Sequence, residues 1–267
     1  MIERKLITPE DLARIRAHAR SSEVTFQKAA MDLKLATRDT IEELVLSQFD
    51  YPTLDAKEHR YSGKLALAYE PMSAYGKALR RLRSNLLRKI PGGRDASIAV
   101  LGPARSEQVS SVAANLAIAL SQLGQSTLLV DSNLSKPILA DWFRHEEEVG
   151  LVSALLNHMH PSEVITRKEG FQDLSLVPSG LVPPNPTDAL NKHALTALNS
   201  YVSEHFDMRI FNTPPLSEVT SAELIADVCG NAICVIEEGR SSYDQLHALV
   251  HTLRKQGTRV LGAIVRK

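Results

Sequence analysis

The sequence is poor in cysteine and in aromatic residues, and it has no long apolar run. Its 267 residues include only two cysteines, Cys229 and Cys234, with no histidine or further cysteine near them at metal-binding spacing. This pattern argues against a cysteine-ligated metal site and is typical of buried thiols in a reducing compartment. No apolar run reaches the roughly 18 residues of a membrane span, and no signal peptide is recognisable. We therefore expect a cytoplasmic protein.

An excess of charge of either sign is also missing. The chain contains 31 lysines and arginines and 31 aspartates and glutamates, so its formal net charge is zero. Bulk charge therefore gives no indication of a nucleic-acid partner, and we expect none. Hydrophobic residues make up 43% of the chain, which is ordinary for a globular protein with a sizeable core. The length fits one large domain, or one domain with an appendage.

Short apolar runs rich in β-branched residues alternate with helical patterns over the last two thirds of the chain. The predicted strands are Ser97–Leu101, Thr127–Val130, Leu174–Val177, Met208–Phe211, Ala232–Ile236 and Val260–Val265. The predicted helices are Ser110–Leu123, Pro137–Phe143, Leu151–Leu156, Asp188–His205, Ala222–Asp227 and Tyr243–Gln256, with Thr187 and Ser241 as predicted caps. Runs without polar alternation are typical of parallel strands covered on both faces. We predict a doubly wound α/β sheet, whose ligands bind at the carboxyl ends of the strands.

A small helical module is predicted at residues 1–54. Thr8 followed by Pro9 and two acids is a typical helix start. Further helical patterns run from about Val24 to Leu33 and from Thr37 onward. Helices this short must pack on each other or on the main domain, because short helices are marginal alone.

The main α/β domain is predicted at residues 77–267, after a charged linker at residues 55–76. It opens with a basic helix at residues 77–90. One face of this helix carries Leu79, Leu82 and Leu86, and basic residues fill the rest. A basic run of this kind is most often a solvated face, and it also fits an acidic partner surface.

The segment 97–120 has the strand, loop and helix order of a phosphate-binding loop, but it lacks the glycines and the lysine of such a loop. A P-loop needs glycines, so that the backbone can wrap the phosphates, followed by a lysine and a serine or threonine. Here the loop at residues 106–111 reads SEQVSS, and the following helix is predicted to begin near Ser110. The plainer interpretation is a strand, loop and helix that only build the core.

The sequence VAANLAIALSQLGQSTLLVDSNLSKP resembles the tyrosine-autokinase branch of the MinD/ParA-type P-loop ATPases. More narrowly, it resembles the autokinases that accompany exopolysaccharide chain-length determinants, in which the loop reads GEGKST. By this resemblance Ser106 and Gln108 stand at the glycine positions, and Val109 stands at the lysine position. Ser110, followed by Ser111, keeps the position of the magnesium-binding hydroxyl. The resemblance implies a P-loop NTPase-like fold.

Two further loops carry the resemblance. Asp131 matches the first carboxylate of the family pattern DADLRxP, and Asn133 replaces the second. Asn212 replaces the aspartate of the family pattern IDTPP, the Walker B carboxylate that helps to hold magnesium. A magnesium-bound triphosphate needs a cation near its terminal phosphates and carboxylates for the metal. We therefore predict a vestigial nucleotide site at Ser110, Ser111 and Asp131, without catalytic residues, cofactor or metal.

The basic helix resembles the ExxRxxR helix through which these kinases assemble into rings. Arg80 and Arg83 match the two arginines, and Lys77 replaces the glutamate. A contact between identical subunits would then bring like charges together. We predict that these three residues contact a different, glutamate-bearing subunit, although an oligomer remains an alternative. The resemblance implies, as partner, an inner-membrane chain-length determinant (co-polymerase) or an active kinase paralogue, and hence a peripheral location at the inner membrane.

The functional hypothesis is a catalytically degenerate autokinase-like protein that acts as a scaffold or regulator in bacterial exopolysaccharide biosynthesis or export. A first alternative is an active or weak ATP-dependent tyrosine autokinase or ATPase, with ATP and magnesium as cofactors. In that case Arg105 or Lys136 would supply the missing cation. A second alternative is a nucleotide-sensing module, in which the N-terminal helices bind a cyclic dinucleotide. His247 and His251 have the spacing of a metal pair, but no acid lies between them, and we expect no metal site.

Overall fold

The computed structural model describes residues 7–37, 40, 54–55, 60–103, 107–146, 148–216, 221–239 and 241–266. The chain divides into two compact units, Met1–Pro52 and Thr53–Lys267. Within the described ranges, no helix is both long enough and apolar enough to cross a bilayer.

Helices and strands are numbered here along the described residues. The helices are α1 Pro9–Ser21, α2 Phe26–Asp32, α3 Ala66–Tyr69, α4 Ala74–Leu87, α5 Glu107–Ser121, α6 Leu139–Trp142, α7 Leu151–Leu156, α8 Pro186–Ala189, α9 Lys192–Ser203, α10 Ser221–Cys229 and α11 Tyr243–Lys255. The strands are β1 Ala96–Leu101, β2 Thr127–Asp131, β3 Thr166–Arg167, β4 Leu174–Val177, β5 Met208–Asn212, β6 Asn231–Glu237 and β7 Arg259–Arg266.

The first unit is built around α1 and α2. The predicted start of α1 is confirmed, because the Thr8 hydroxyl accepts the Asp11 backbone N–H at 3.1 Å and the Asp11 carboxylate accepts the Thr8 backbone N–H at 3.1 Å. A small apolar cluster, which includes Ile15 and Ala30, joins the two helices. The helix predicted after Thr37 falls almost entirely on residues 38–53, outside the described residues apart from residue 40.

The second unit contains the predicted sheet. In the described part of the chain it has seven strands in the order β3-β4-β2-β5-β1-β6-β7. All the pairings are parallel except that of β3 with β4. The six predicted strands are all present within two residues of their predicted ends, and the α/β fold class is confirmed. The short strand β3 was not predicted, since its two residues form no apolar run.

Each face of the sheet has its own core. One core joins alternate residues of the strands, such as Ile98 and Val100, to α3, α4, α5 and α6. The other joins the intervening residues, such as Ala99 and Leu101, to α7, α9, α10 and α11. Because both faces are covered, the strands are apolar without alternation, as the sequence indicated.

The stretch predicted as a linker is packed into the second unit over its described part. Leu65 and Leu67 are fully buried in the core, and α3 lies between residues 66 and 69. The Leu67 backbone N–H donates to Asn115 Oδ1 at 2.9 Å, which fixes this stretch against α5. The charged residues around it suggested a linker, but its few apolar side chains determine its position.

Three helix predictions need correction at their ends. Helix α5 begins at Glu107, before Ser110. The helix predicted over residues 188–205 is two helices, α8 and α9, because Asn191 caps α9 by accepting the Ala194 N–H at 2.9 Å. Thr187 lies inside α8 and is not a cap. Helix α11 is capped by Ser242, in a reciprocal pair with Gln245, and not by Ser241.

Candidate functional site at the carboxyl edge of the sheet

The candidate site lies where β1, β2 and β5 end. These three strands are neighbours in the sheet, in the order β2-β5-β1. Asp131 and Asn212 are directly opposite each other at the ends of β2 and β5. Ser110 and Ser111 lie in the first turns of α5, which follows β1. The topology therefore brings together the three loops that the sequence assigned to the ligand-binding edge.

Asp131 forms the centre of this edge, and the chain itself supplies its hydrogen bonds. Asn212 Nδ2 donates to Asp131 Oδ1 at 2.9 Å. The Asn133 backbone N–H reaches the same oxygen at 3.3 Å, and the Leu139 backbone N–H donates to Oδ2 at 3.0 Å. The side chains of Asp131 and Asn212 are both fully buried. The carboxylate is therefore a structural acceptor that ties β2 to β5 and to the start of α6.

Burial raises the pKa of Asp131 from 3.8 to about 6, while the hydrogen bond from Asn212 and the backbone N–H groups pull it down. A second carboxylate at position 212 would add like-charge repulsion to this burial. The amide removes that repulsion and donates instead. On its other side, Asn212 Oδ1 is buried, with no donor to it among the described residues.

The first turns of α5 present no charged group at the lysine position. Val109 is 5% exposed, and its side chain belongs to the core on the α4–α5 side of the sheet. Ser110 is buried, and the Ser111 hydroxyl lies 3.2 Å from the Tyr75 hydroxyl. The predicted roles of Arg105 and Ser106 concern positions outside the described residues.

Two residues beside the site were not singled out by the sequence. Arg266, at the end of β7, donates through Nε to Gln108 Oε1 at 3.0 Å. Its guanidinium carbon lies 4.0 Å from the centroid of the Tyr75 ring, a cation–π geometry. Tyr75 in turn contacts Ser111, so this cluster joins α4, α5 and β7. No local pattern reveals such a cluster, because its members are far apart along the chain.

Lys136, the other residue considered as a replacement cation, lies near the start of α5. Its Nζ is 3.5 Å from Glu107 Oε1, and Lys64 Nζ is 3.7 Å from Oε2 of the same carboxylate. The Lys136 backbone N–H donates to Asn133 Oδ1 at 3.3 Å. The positive charge of Lys136 is therefore already partly matched by Glu107.

These residues do not form the donor set that a magnesium-bound triphosphate requires. Such a ligand needs a cation at its terminal phosphates and carboxylates free to hold the metal and its water. Within the described residues, the lysine position at this edge holds the apolar Val109, and the Asp131 carboxylate already accepts several hydrogen bonds. The nearby Glu107 carboxylate is already paired with Lys136 and Lys64.

The predicted partner-binding residues lie on α4. Lys77 is exposed. Arg80 donates to the carbonyl oxygen of Pro71 and lies 3.4 Å from Met72 Sδ. Arg83 is 6% exposed and donates to the Ala119 carbonyl oxygen on α5 at 2.7 Å. Both guanidinium groups thus bind within the chain, and a partner contact through Arg83 would require its side chain to move. The partner role of the three residues stays a prediction.

Comparisons with known proteins identify the family. No protein-family model matches the chain. The chain is 30% identical over 196 residues to the tyrosine-protein kinase YwqD of Bacillus subtilis, covering 73% of this chain and 82% of that protein. It is 28% identical over 187 residues to the tyrosine-protein kinase CpsD of Streptococcus agalactiae serotype III, covering 70% of this chain and 79% of that protein.

Solved structures agree with this assignment. The chimerical protein CapA2B2 matches with a TM-score of 0.70 and 30% identity, over 84% of this chain and 97% of that chain. The cell division ATPase MinD of Pyrococcus furiosus matches with a TM-score of 0.57 and 20% identity, over 64% of this chain and 71% of that chain, a likeness of fold alone. The chain therefore belongs to the bacterial tyrosine-protein kinase family and has the α/β fold of the MinD-like P-loop proteins.

Proposed function

We propose that this chain is a member of the tyrosine-kinase family that does not transfer phosphate, and that it serves as a scaffold or regulator in bacterial exopolysaccharide biosynthesis or export. The observation that carries this proposal is the hydrogen bond from Asn212 to Asp131 at 2.9 Å, in a site with Val109 at the lysine position. The two residues at the magnesium positions of the family pattern are thus hydrogen-bonded to each other.

The magnitudes support the loss of nucleotide binding. A hydrogen bond to a charged group contributes about 1.5–3 kcal/mol. Relative to the family pattern, the site has lost the lysine and two carboxylates, so about 4.5–9 kcal/mol of favourable interaction is missing. A ligand bound with micromolar affinity has a total binding free energy of about 8 kcal/mol. The loss is therefore comparable to the whole of such an affinity.

The family resemblance suggests what the fold is used for. In the exopolysaccharide-type autokinases, the activating partner is the cytoplasmic end of an inner-membrane chain-length determinant. That determinant, or an active kinase paralogue, is the proposed partner here. Lys77, Arg80 and Arg83, which lie on one helix, are the proposed contact residues, and the protein would be peripheral to the inner membrane through that partner.

Two measurements on the purified full chain test the absence of catalysis. Isothermal titration with ATP and magnesium should give no binding heat, while the same titration of YwqD serves as the positive control. Incubation with ATP and magnesium should give no phosphotyrosine. Micromolar binding would overturn the proposal. So would phosphotyrosine that disappears in the Asp131→Ala variant, and this would favour the autokinase alternative.

A complementation experiment tests the scaffold role. Deletion of the gene in its native bacterium should reduce surface polysaccharide. Both the wild-type gene and an Asp131→Asn allele expressed at equal level should restore it, because no phosphotransfer is needed. Failure of the Asp131→Asn allele at equal protein level, with the purified variant as stable as the wild type in thermal unfolding, would indicate that the carboxylate has a chemical role. No effect of the deletion would remove the pathway from the proposal.

A further inference from the structure

A groove of about 410 Å³ lies between α4 and the edge strand β7, away from the nucleotide site. Leu82 and Leu86 line it from the helix, and Leu261 lines it from the strand. Gly262 and Ala263 also line the groove from the strand. Within the described sheet, β7 pairs only with β6, so this strand forms one edge of the sheet.

Gly262 keeps the groove open. A Cβ atom placed on Gly262 would meet no described atom within 4 Å, and the residue does not have a positive φ. A side chain at this position would therefore fit without strain and would project into free space. Further along the same strand, Val265 is 64% exposed, although an exposed apolar edge strand is a liability that proteins normally cover or protect with charge.

Positive charge surrounds the groove and is not matched by acidic groups. Arg88 and Lys89 line it, and Arg259 lies beside it with its guanidinium on the Lys89 carbonyl oxygen. Lys89 Nζ donates to the Leu261 carbonyl oxygen. These partners are neutral, and among the described residues no carboxylate forms an ion pair with any of the three. The sequence has no aspartate or glutamate between residues 71 and 94, although the chain as a whole has net charge zero.

We propose that this groove binds an extended acidic segment of a partner protein. One apolar side chain of the segment would lie over Gly262, against Leu82 and Leu261. Its carboxylates would pair with Arg88, Lys89 and Arg259, and its backbone would run along the edge of β7. Addition of a strand to a free sheet edge is a common mode of peptide recognition, in which pockets for alternate side chains provide specificity. The combination of an apolar floor and a basic rim selects an acidic segment with a single aliphatic or aromatic anchor.

The test begins with a random 12-residue peptide library selected on the immobilised full chain. Enriched peptides should be acidic and should share one large apolar residue. A fluorescein-labelled enriched peptide is then titrated by fluorescence anisotropy. Gly262→Val fills the groove with a residue suited to a strand and should weaken binding at least tenfold. Gly63→Val is the matched control, because Gly63 also has no atom within 4 Å of a built Cβ and no positive φ, and it should change binding less than twofold.

A second variant separates charge from shape. Arg88→Glu combined with Arg259→Glu should also weaken binding at least tenfold, and binding of the wild type should fall as salt is raised. Circular dichroism and thermal unfolding of each variant establish that it is folded. The proposal fails if the enriched peptides are not acidic, if Gly262→Val binds them as tightly as the control, or if the chain binds phosphatidylglycerol vesicles through these residues and no peptide. None of these outcomes bears on nucleotide binding, so this inference stands or falls separately from the proposed absence of catalysis.

Discussion

At the scale of single residues, the exchange of a carboxylate for an amide at position 212 changes what the site can do. An aspartate there would compete with Asp131 for protons or share a metal ion with it. Asn212 instead donates to Asp131 Oδ1 at 2.9 Å, so that a hydrogen bond joins the two side chains. In this chain the two side chains therefore link the ends of β2 and β5.

The buried Asp131 should make stability depend on pH. Its pKa is about 6 in the folded state and 3.8 as the ordinary value, so the folded protein holds this proton more tightly than the unfolded chain. The associated stability is fully present only well below pH 3.8, is lost as pH rises through about 6, and amounts to about 3 kcal/mol in total. In Asp131→Asn this dependence should vanish. The stability of the variant relative to the wild type should therefore increase by about 2.4 kcal/mol between pH 4 and pH 7.

Urea unfolding of both proteins at pH 4, 5.5 and 7 measures this difference. Asp141→Asn is the control, since Asp141 is exposed. The measured quantity is how the difference in free energy of unfolding between variant and wild type changes with pH. A loss of stability that is the same at every pH does not affect it. A difference between variant and wild type that stays the same from pH 4 to pH 7 would contradict the assignment.

Restoring the family carboxylate should be harmful in the absence of a metal. In Asn212→Asp, two buried carboxylates would lie at hydrogen-bonding distance, and they cannot both ionise without a large penalty. We expect a loss of about 3–5 kcal/mol at pH 8 and a smaller loss at pH 5, where the pair can share a proton. Thermal unfolding at the two pH values measures it. Asn133→Asp, at a half-buried position nearby, should lose much less stability. Equal losses of stability in the two variants would contradict the expected repulsion between the carboxylates at positions 131 and 212.

At the scale of elements, helix α4 carries arginines in two different environments, one buried and one exposed. The Arg83 guanidinium is buried and donates to the Ala119 carbonyl oxygen at 2.7 Å, whereas Arg81 is exposed. Arg83→Ala should destabilise the chain by about 1–3 kcal/mol, because it leaves that buried carbonyl oxygen unsatisfied. Arg81→Ala on the same helix should change stability by less than about 0.5 kcal/mol. Urea unfolding compares the two, and equal effects would mean that the arginine motif has no structural role in this chain.

The elements also show how far the sequence could be read in advance. Strands covered on both faces are continuous apolar runs, so six of the seven strands in the described sheet were predictable. The break between α8 and α9 and the packing of Leu67 were not. Each depends on one side chain, Asn191 or Asn115, that finds a particular backbone group. The pattern of local residues does not contain such contacts.

The candidate site, like the fold, could be predicted from the sequence only in part. The position of the loops at the carboxyl edge of the sheet followed from the α/β pattern, and the family motif located Val109, Asp131 and Asn212, whereas the strand order was not predicted. The burial of Arg83 was not visible, because an ExxRxxR-like spacing is the same for an exposed and a buried arginine. The Arg266 contact with Tyr75 and Gln108 was not visible either, because it joins residues from three separate elements.

At the scale of the whole molecule, the apolar clusters follow the division into two units. One cluster contains only residues of Met1–Pro52, and the other two contain only residues of Thr53–Lys267. The larger unit has a core on each face of its sheet. The smaller has a single cluster with four buried side chains among its described residues, which fits a short segment that buries little surface. We therefore expect the units to differ in stability.

A chain that begins at Thr53 should fold by itself, because the described residues of both cores of the larger unit all lie after residue 53. Its main thermal transition should lie within about 4 °C of that of the full chain, a shift that corresponds to about 1–2 kcal/mol for a domain of this size. Differential scanning calorimetry of the two proteins measures this. The shortened chain also supplies the control for the nucleotide-sensing alternative, since a cyclic dinucleotide that binds the N-terminal helices would raise the transition of the full chain only. An insoluble or unfolded shortened chain would show that the larger unit needs residues 1–52 for its stability.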